Sequence, residues 1–279
     1  EGMLEVFSKR DLKHIAFEAP AMTYDRYMKI SRGLAESVQF IPLVRAVASL
    51  RTRKDKDEIR NIREAAGIAA RALEATLAFL QVGMTERDAA RKLDWNLVQE
   101  GSERPAFDTI VASGSNAALP HARPGSKTME RGDFIVIDYG AVCEGYHSDE
   151  TCTVSIGQPT VEGRRVYDTV LTAHDRAIDA IRPGMLCREI DAAARSFIDE
   201  AGFGSCFAHG TGHGVGLKVH ESPAVSSKSR EILEEGSVIT IEPGIYLPGR
   251  FGVRIEDMVL VTAGGSEIIS QAPKHLIIL

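Results

Sequence analysis

Four carboxylates fall at matched places in two similar stretches of this chain. The first stretch, Asp133-Phe134-Ile135-Val136-Ile137-Asp138-Tyr139-Gly140, is a short apolar run ending in an acid just before a glycine. The second, Ser237-Val238-Ile239-Thr240-Ile241-Glu242-Pro243-Gly244, has the same build. Each is introduced by an acid, a variable residue and a glycine, Glu130-Arg131-Gly132 and Glu234-Glu235-Gly236, so Asp138 aligns with Glu242. A further acid follows each stretch, Asp149 and Glu256. Short apolar runs bounded in this way read as buried strands, and an acid at the end of one is costly unless its charge is compensated. Asp138 and Asp149 stand eleven residues apart with Gly140 and Gly145 between them, so a strand-turn-strand hairpin can bring both to one face. Glu242 and Glu256 repeat the arrangement around Gly249 and Gly252. A single such acid reads as a solvated turn residue; four at matched places read as one site made by duplication.

Residues 207 to 221 add three histidines, His209, His213 and His220, interleaved with glycines that let the backbone approach closely. Four carboxylates and an imidazole can hold two divalent cations near charge balance. Oxygen-rich ligation with one nitrogen favours manganese, cobalt, iron or zinc over a soft thiolate site. Two such ions a few Å apart share ligands, generate a bound hydroxide at neutral pH and polarise a carbonyl. That is hydrolytic chemistry on an amide or ester.

The surrounding pattern indicates what must position these groups. Lys13 to Glu18 and Ser37 to Leu43 read as strands, with a helix capped by Thr23 between them. The charged stretch Arg51 to Asp57 reads as a boundary. Glu58 to Leu80 is helical, with Ile59, Ile62, Ala66, Ala69, Leu73 and Leu77 on one side. Thr85 with Asp88 resembles a capping box that starts a second helix running to Gly101. Val166 to Ile181 and a segment ending at Gly202 form another helix pair, and Gly83-Met84 with Arg87 matches Gly184-Met185 with Arg188. Two related halves are expected, about 58 to 157 and 159 to 279, each with two helices and a set of strands. The fold class is α+β, with helices outside a curved antiparallel sheet.

The chain has 279 residues and a formal net charge of −6, enough length for one large domain or two smaller ones. The charge, and the lack of a basic tract, argue against a nucleic-acid partner. No apolar run approaches a membrane span, and no N-terminal segment reads as a signal peptide. Cys143, Cys152, Cys187 and Cys206 are scattered without a CxxC pair, which points to free thiols in a cytoplasmic protein. The start, Glu1-Gly2-Met3, suggests a fragment or a processed chain.

On five ordered motifs, residues 51 to 279 resemble the creatinase/aminopeptidase superfamily of metallopeptidases with the pita-bread fold, in its Xaa-Pro aminopeptidase and Xaa-Pro dipeptidase branch. The motifs are Ile137-Asp138-Tyr139-Gly140, Tyr146-His147-Ser148-Asp149-Glu150-Thr151, His209 to Glu221, Ile241-Glu242-Pro243-Gly244 and Val253-Arg254-Ile255-Glu256-Asp257. The resemblance implies two pseudo-symmetric halves over 51 to 279, preceded at 1 to 50 by the end of an N-terminal creatinase-like domain. It implies two metal ions, manganese foremost with cobalt, zinc or iron as alternatives, on Asp138, Asp149, His213, Glu242 and Glu256. Asp149 and Glu256 would bridge the metals, a hydroxide between them would be the nucleophile, and Glu242 would shuttle its proton. His121, His209 and His220 would contact substrate and stabilise the transition state. Arg254 would support a ligand or hold a substrate carboxylate. The substrate would be a peptide cut before proline, and the assembly a homodimer. Other readings on the same fold are a methionine aminopeptidase, a metal-free creatinase-like hydrolase and a non-catalytic binding module. Retention of all five ligand positions argues against the last two. One departure is Thr151-Cys152-Thr153, where the superfamily usually shows Thr-Arg-Thr; Cys152 is expected to be inert.

Overall fold

Thr23, Asp55, Thr85 and Thr160 each start a helix by accepting backbone N–H groups that have no partner within the helix. The computed structural model describes residues 2–10, 12–44 and 46–279 and divides into two compact units, Glu1–Arg51 and Thr52–Leu279. The smaller unit contains α1 (Gly2–Ser8), β1 (His14–Glu18), α2 (Tyr24–Gly33), β2 (Gln39–Leu43) and α3 (Ala46–Thr52), which ends at the division. Thr23 caps α2 by accepting from Arg26 N–H at 3.3 Å. β1 and β2 pair in parallel, and the rings of Phe17, Tyr27 and Phe40 cluster on them with centroids 4.2–5.6 Å apart. α1 and α3 carry no strong periodic signal and were not expected.

In the larger unit, α4 (Lys56–Leu77) and α5 (Glu86–Gln99) precede β3 (Ile110–Ser113), β4 (Phe134–Tyr139), β5 (Val142–Cys143), β6 (Tyr146–His147) and β7 (Glu150–Ser155). Then α6 (Val161–Ala180) and α7 (Cys187–Glu200) precede β8 (Gly212–Gly214), β9 (Glu221–Val225), β10 (Val238–Ile241), β11 (Gly244–Leu247), β12 (Phe251–Arg254), β13 (Asp257–Thr262) and β14 (Gly265–Ile268). The charged stretch expected to be a boundary holds a helix cap. Asp55 accepts from Asp57 and Glu58 N–H at 2.9 Å each, and its own N–H donates to the Glu58 carboxylate at 2.8 Å. α6 likewise begins five residues before Val166, capped by Thr160.

The two halves repeat each other in hydrogen bonding as well as in sequence. Gly83 N–H donates to Met129 O and Met129 N–H returns to Met84 O; Gly184, Leu233 and Met185 do the same. Gly132 and Gly236 turn into β4 and β10 with φ of 94° and 85°, a left-handed conformation that strains any residue with a Cβ. β3-β4-β7 form one antiparallel sheet and β14-β13-β10-β8-β9 the other, with hairpins β5-β6 and β11-β12 at the strand ends. One core packs α4 and α5 on the first sheet through Ala69, Leu73, Leu93, Ile135 and Val154; another packs α6 and α7 on the second through Val170, Ile190, Ile239 and Val259. Each such buried Leu, Ile or Val side chain contributes about 1.5–3 kcal/mol. This is the expected α+β pita-bread fold.

The last residues of the second half also reach into the first, while Leu276 stays in the second core. Ser155 N–H donates to Ile277 O, Leu279 N–H to Ser155 O and Gly157 N–H to Leu279 O, at 2.8–2.9 Å. Ala272 and Ile277 pack into the first core. The chain end crosses over and pairs with Ser155, the last residue of β7, whose outer backbone groups would otherwise lie open.

Candidate metal centre

The strand ends set the acids beside one another. Asp138 is the penultimate residue of β4 and Asp149 directly precedes β7, which pairs with it. Glu242 directly follows β10 and Glu256 directly precedes β13, and the pairing of Ile241 with Asp257 places them opposite each other. His213 sits in the middle of β8 beside β10. A Cβ at Gly212 would collide with the Thr240 carbonyl oxygen and one at Gly214 with that of Ser222, so only glycines fit on either side of this histidine. The result is a cavity of about 310 Å³ lined by Asp138, Asp149, His213, Glu242 and Glu256 together with His121, His209, His220 and Arg254. All nine sequence-predicted site residues therefore meet in one place. Ligand atoms of Asp149, His213 and Glu256 lie within 4.8 Å of one another.

The histidines divide into two kinds. His213 Nδ1–H donates to Gly214 O at 3.1 Å, which leaves Nε2 unprotonated, 3.5 Å from Asp149 Oδ2 and 3.4 Å from Glu242 Oε1. That tautomer suits a metal ligand. His209 Nδ1–H donates to Gly210 O at 2.8 Å, and its Nε2 accepts from Tyr246 O–H at 2.8 Å. Both ring nitrogens of His209 are thus held by the protein. His121 and His220 are exposed at the cavity mouth and make no hydrogen bond to the protein among the described residues. The His220 ring lies 4.1 Å from that of His213.

Arg254 is buried and heavily used. Its Nη2 donates to Asp138 Oδ2 at 2.6 Å, Nη1 to Tyr246 Oη at 3.0 Å and Pro120 O at 3.1 Å, and Nε to Thr151 Oγ1 at 3.1 Å. Thr151 O–H in turn donates to Glu256 Oε2 at 2.6 Å. Of the two roles expected for Arg254, these bonds fit support of the acids rather than contact with a substrate carboxylate.

One guanidinium does not balance four acids. Burial, then Glu256, Asp138 and Glu242, hold Asp149 well above the usual carboxylate range. Burial, then Glu242 and Asp138, do the same to Glu256. Burial lifts Glu242 from 4.5 to about 7 against the pull of Arg254. Asp138 Oδ1 is buried without a hydrogen-bond partner among the described residues. Burial lowers the pKa of His213 and His220 and takes His209 down to about 4, so these imidazoles are neutral. Crowded carboxylates, an orphaned carboxylate oxygen and a neutral imidazole with a free lone pair are a donor set that fits divalent cations.

The sequence profile of metallopeptidase family M24 matches residues 60–263. The chain belongs to this family. It is 45% identical over 231 residues to the Xaa-Pro dipeptidase of Pyrococcus furiosus, a match that covers 83% of this chain and 66% of that protein. Among solved structures, an Xaa-Pro dipeptidase from Bacillus anthracis aligns over 100% of this chain and 78% of its own, with a TM-score of 0.97 and 40% identity. An X-Pro aminopeptidase from Thermotoga maritima aligns over 100% and 79%, with a TM-score of 0.93 and 40% identity. The chain thus spans about two thirds to four fifths of the length of these relatives.

Within this M24 domain, several supporting residues escaped sequence reading. Tyr246 links Arg254 to His209. Arg195 donates twice to Asp191 at 2.8 Å and also to Phe207 O and His209 O, while Asp191 accepts from Thr211 N–H and O–H, so α7 holds the His209 loop. In the first half, buried Glu86 accepts from Ser113 N–H, Ser113 O–H, Asn116 and Gly125 N–H, which fixes the segment leading to His121. An acid–base pair at i and i+4 on α7 was the available signal for Asp191 and Arg195; nothing local marks Tyr246 or Glu86.

Cys152 faces away from the cavity. Thr151 and Thr153 turn their hydroxyls to Glu256 and to Arg254 O, and the thiol between them packs into the first core. Burial pushes it up to about 12. Iodoacetamide at neutral pH is expected to leave Cys152 unmodified in the folded protein and to label it in denaturant, as read by peptide mapping. Rapid labelling of the native chain would contradict this burial.

Proposed function

We propose that this chain is a dinuclear metal-dependent peptidase that hydrolyses the Xaa-Pro bond of peptides. The observation that carries this reading is the meeting of Asp138, Asp149, His213, Glu242 and Glu256 in one cavity wall, in a chain so similar to proteins named for Xaa-Pro cleavage. Manganese is the ion of first choice, and the donor set also accepts cobalt, iron or zinc. Bound there, two such cations supply an activated water and a Lewis-acid pull on the scissile carbonyl. Asp149 and Glu256, one from each half, would be among the residues that hold them. Glu242, which accepts from Thr240 O–H at 3.3 Å, is assigned the transfer of the water's proton to the leaving nitrogen. His121 and His220, with free ring nitrogens at the mouth, are assigned to hold the substrate and the developing oxyanion. His209 is assigned to orient Tyr246 rather than to touch substrate, because both its nitrogens are engaged. The unit Glu1–Arg51 is read as the end of an N-terminal domain of the Xaa-Pro type, since the solved relatives align over it as well.

Alanine in place of His220 is expected to lower turnover by about 100-fold or more while both metals stay bound. Parallel kinetics and metal analysis check this, and loss of metal would make His220 a ligand instead. The reading as a whole is tested with a peptide panel. Xaa-Pro dipeptides and Xaa-Pro-Xaa tripeptides are expected to be cut before proline, and the preferred length decides between dipeptidase and aminopeptidase action. Release of methionine from Met-Xaa peptides with no cleavage before proline would contradict it.

A further inference from the structure

We infer that Lys274 is a positioning residue for the metal centre, a buried ammonium that ties together from behind the two strands delivering Asp149 and Glu256. The inference rests on the metal-dependent reading above. Glu150 and Asp257 immediately follow Asp149 and Glu256 in the chain. Successive side chains on a strand point to opposite faces, and accordingly neither residue lines the cavity. Both are enclosed, with 0% and 1% of their surface exposed.

Lys274 Nζ lies 2.6 Å from Glu150 Oε1 and 3.0 Å from Asp257 Oδ1. The same two acids have further partners. Tyr139 O–H donates to Glu150 Oε2 at 3.3 Å, Ala272 N–H donates to Glu150 Oε1 at 3.1 Å, and His174 Nε2 is 3.1 Å from Asp257 Oδ2. β7 and β13 belong to different sheets. Near the site their direct main-chain link is the bond from Glu256 N–H to Thr151 O at 3.1 Å. Lys274 adds a second link, from a chain end that already crosses from one half to the other. Two buried acids facing each other without a cation would repel and drive the strands apart. Asp149 and Glu256 ride on the same strand ends, so the clamp sets their separation. Residues that support metal ligands from outside in this way account for about 10–100-fold in metal affinity.

The test compares the wild-type chain with Lys274→Gln and Lys274→Arg by calorimetric titration with Mn²⁺ and by electron paramagnetic resonance of the loaded protein. The wild type is expected to bind two ions and to give the spectrum of a spin-coupled manganese pair. Lys274→Gln is expected to keep the circular dichroism of a folded chain, to weaken the second ion by about 10–100-fold and to lose the coupled spectrum. Lys274→Arg is expected to restore both. If Lys274→Gln does not fold, Lys274→Gln combined with Glu150→Gln also removes one of the two facing acids, still leaves the strands without the clamp and carries the same expectation. A folded variant with two ions at wild-type affinity and an unchanged coupled spectrum would overturn the clamp and leave the proposed function standing. A wild-type chain that binds no metal would overturn both.

Discussion

Replacing Glu242 with Gln is expected to reduce turnover by about 100- to 10,000-fold, the range that positioned proton transfer supplies. The change keeps the shape of the side chain and its contact with Thr240 O–H, so the fold should survive. It removes one charge from a cluster that burial and mutual repulsion already strain, as the rise of Glu242 to about 7 records. The metal-free variant should therefore melt at the same temperature as the metal-free wild type or above it. Its stabilisation by added Mn²⁺ should fall. A residue that merely held the structure would behave the other way, with lower stability throughout. Steady-state kinetics and paired melts separate the two cases, and unchanged turnover would remove Glu242 from the chemistry.

The second large effect concerns pH and metal together. In the metal-free chain, Asp149, Glu242 and Glu256 are all raised above their ordinary values. The folded chain then holds more protons than the unfolded one between the ordinary and the raised pKa values. Stability falls with rising pH wherever the native state binds the extra protons. The metal-free chain should thus lose stability as pH rises from about 4.5, the ordinary glutamate value, through about 7, the value for Glu242. Divalent cations bind the deprotonated acids and reverse the trend. Each ion at a hundred times its Kd adds about 2.7 kcal/mol. The gap in Tm between Mn²⁺-loaded and chelator-treated protein should therefore widen steadily from about pH 5 to pH 8. A metal-free chain that gains stability across that window would show that these acids do not share one uncompensated site.

The parts of the site that sequence alone exposed are those with a local cause. A carboxylate at the end of an apolar run, with glycines at a fixed distance, is the product of one strand and one turn. Hence Asp138, Asp149, Glu242 and Glu256 were legible, and the duplication doubled the signal. The glycine spacing around His213 was legible for the same reason, since Gly212 and Gly214 must admit neighbouring carbonyls. What stayed hidden depends on contacts between distant segments. Arg254 and Asp138 meet across 116 positions, and Thr151 meets Glu256 across 105. No spacing rule predicts Tyr246 between Arg254 and His209, so the engagement of both His209 nitrogens could not be read in advance. The pairing of the chain end with Ser155 of β7 stayed hidden for the same reason. The early starts of α4 and α6 reflect caps at Asp55 and Thr160 that lie outside the apolar periodicity.

Metal held by the five clustered side chains is the requirement that the proposed function sets for Xaa-Pro cleavage. Its most direct test is the metal content of the purified chain by mass spectrometry, followed in the same sample by chelation, re-addition of Mn²⁺ and an assay of Xaa-Pro cleavage. Two ions per chain are expected, with loss of cleavage on chelation and its return with the metal. A chain that binds no Mn²⁺ when supplied with it, or that cleaves equally well after complete removal, would contradict it.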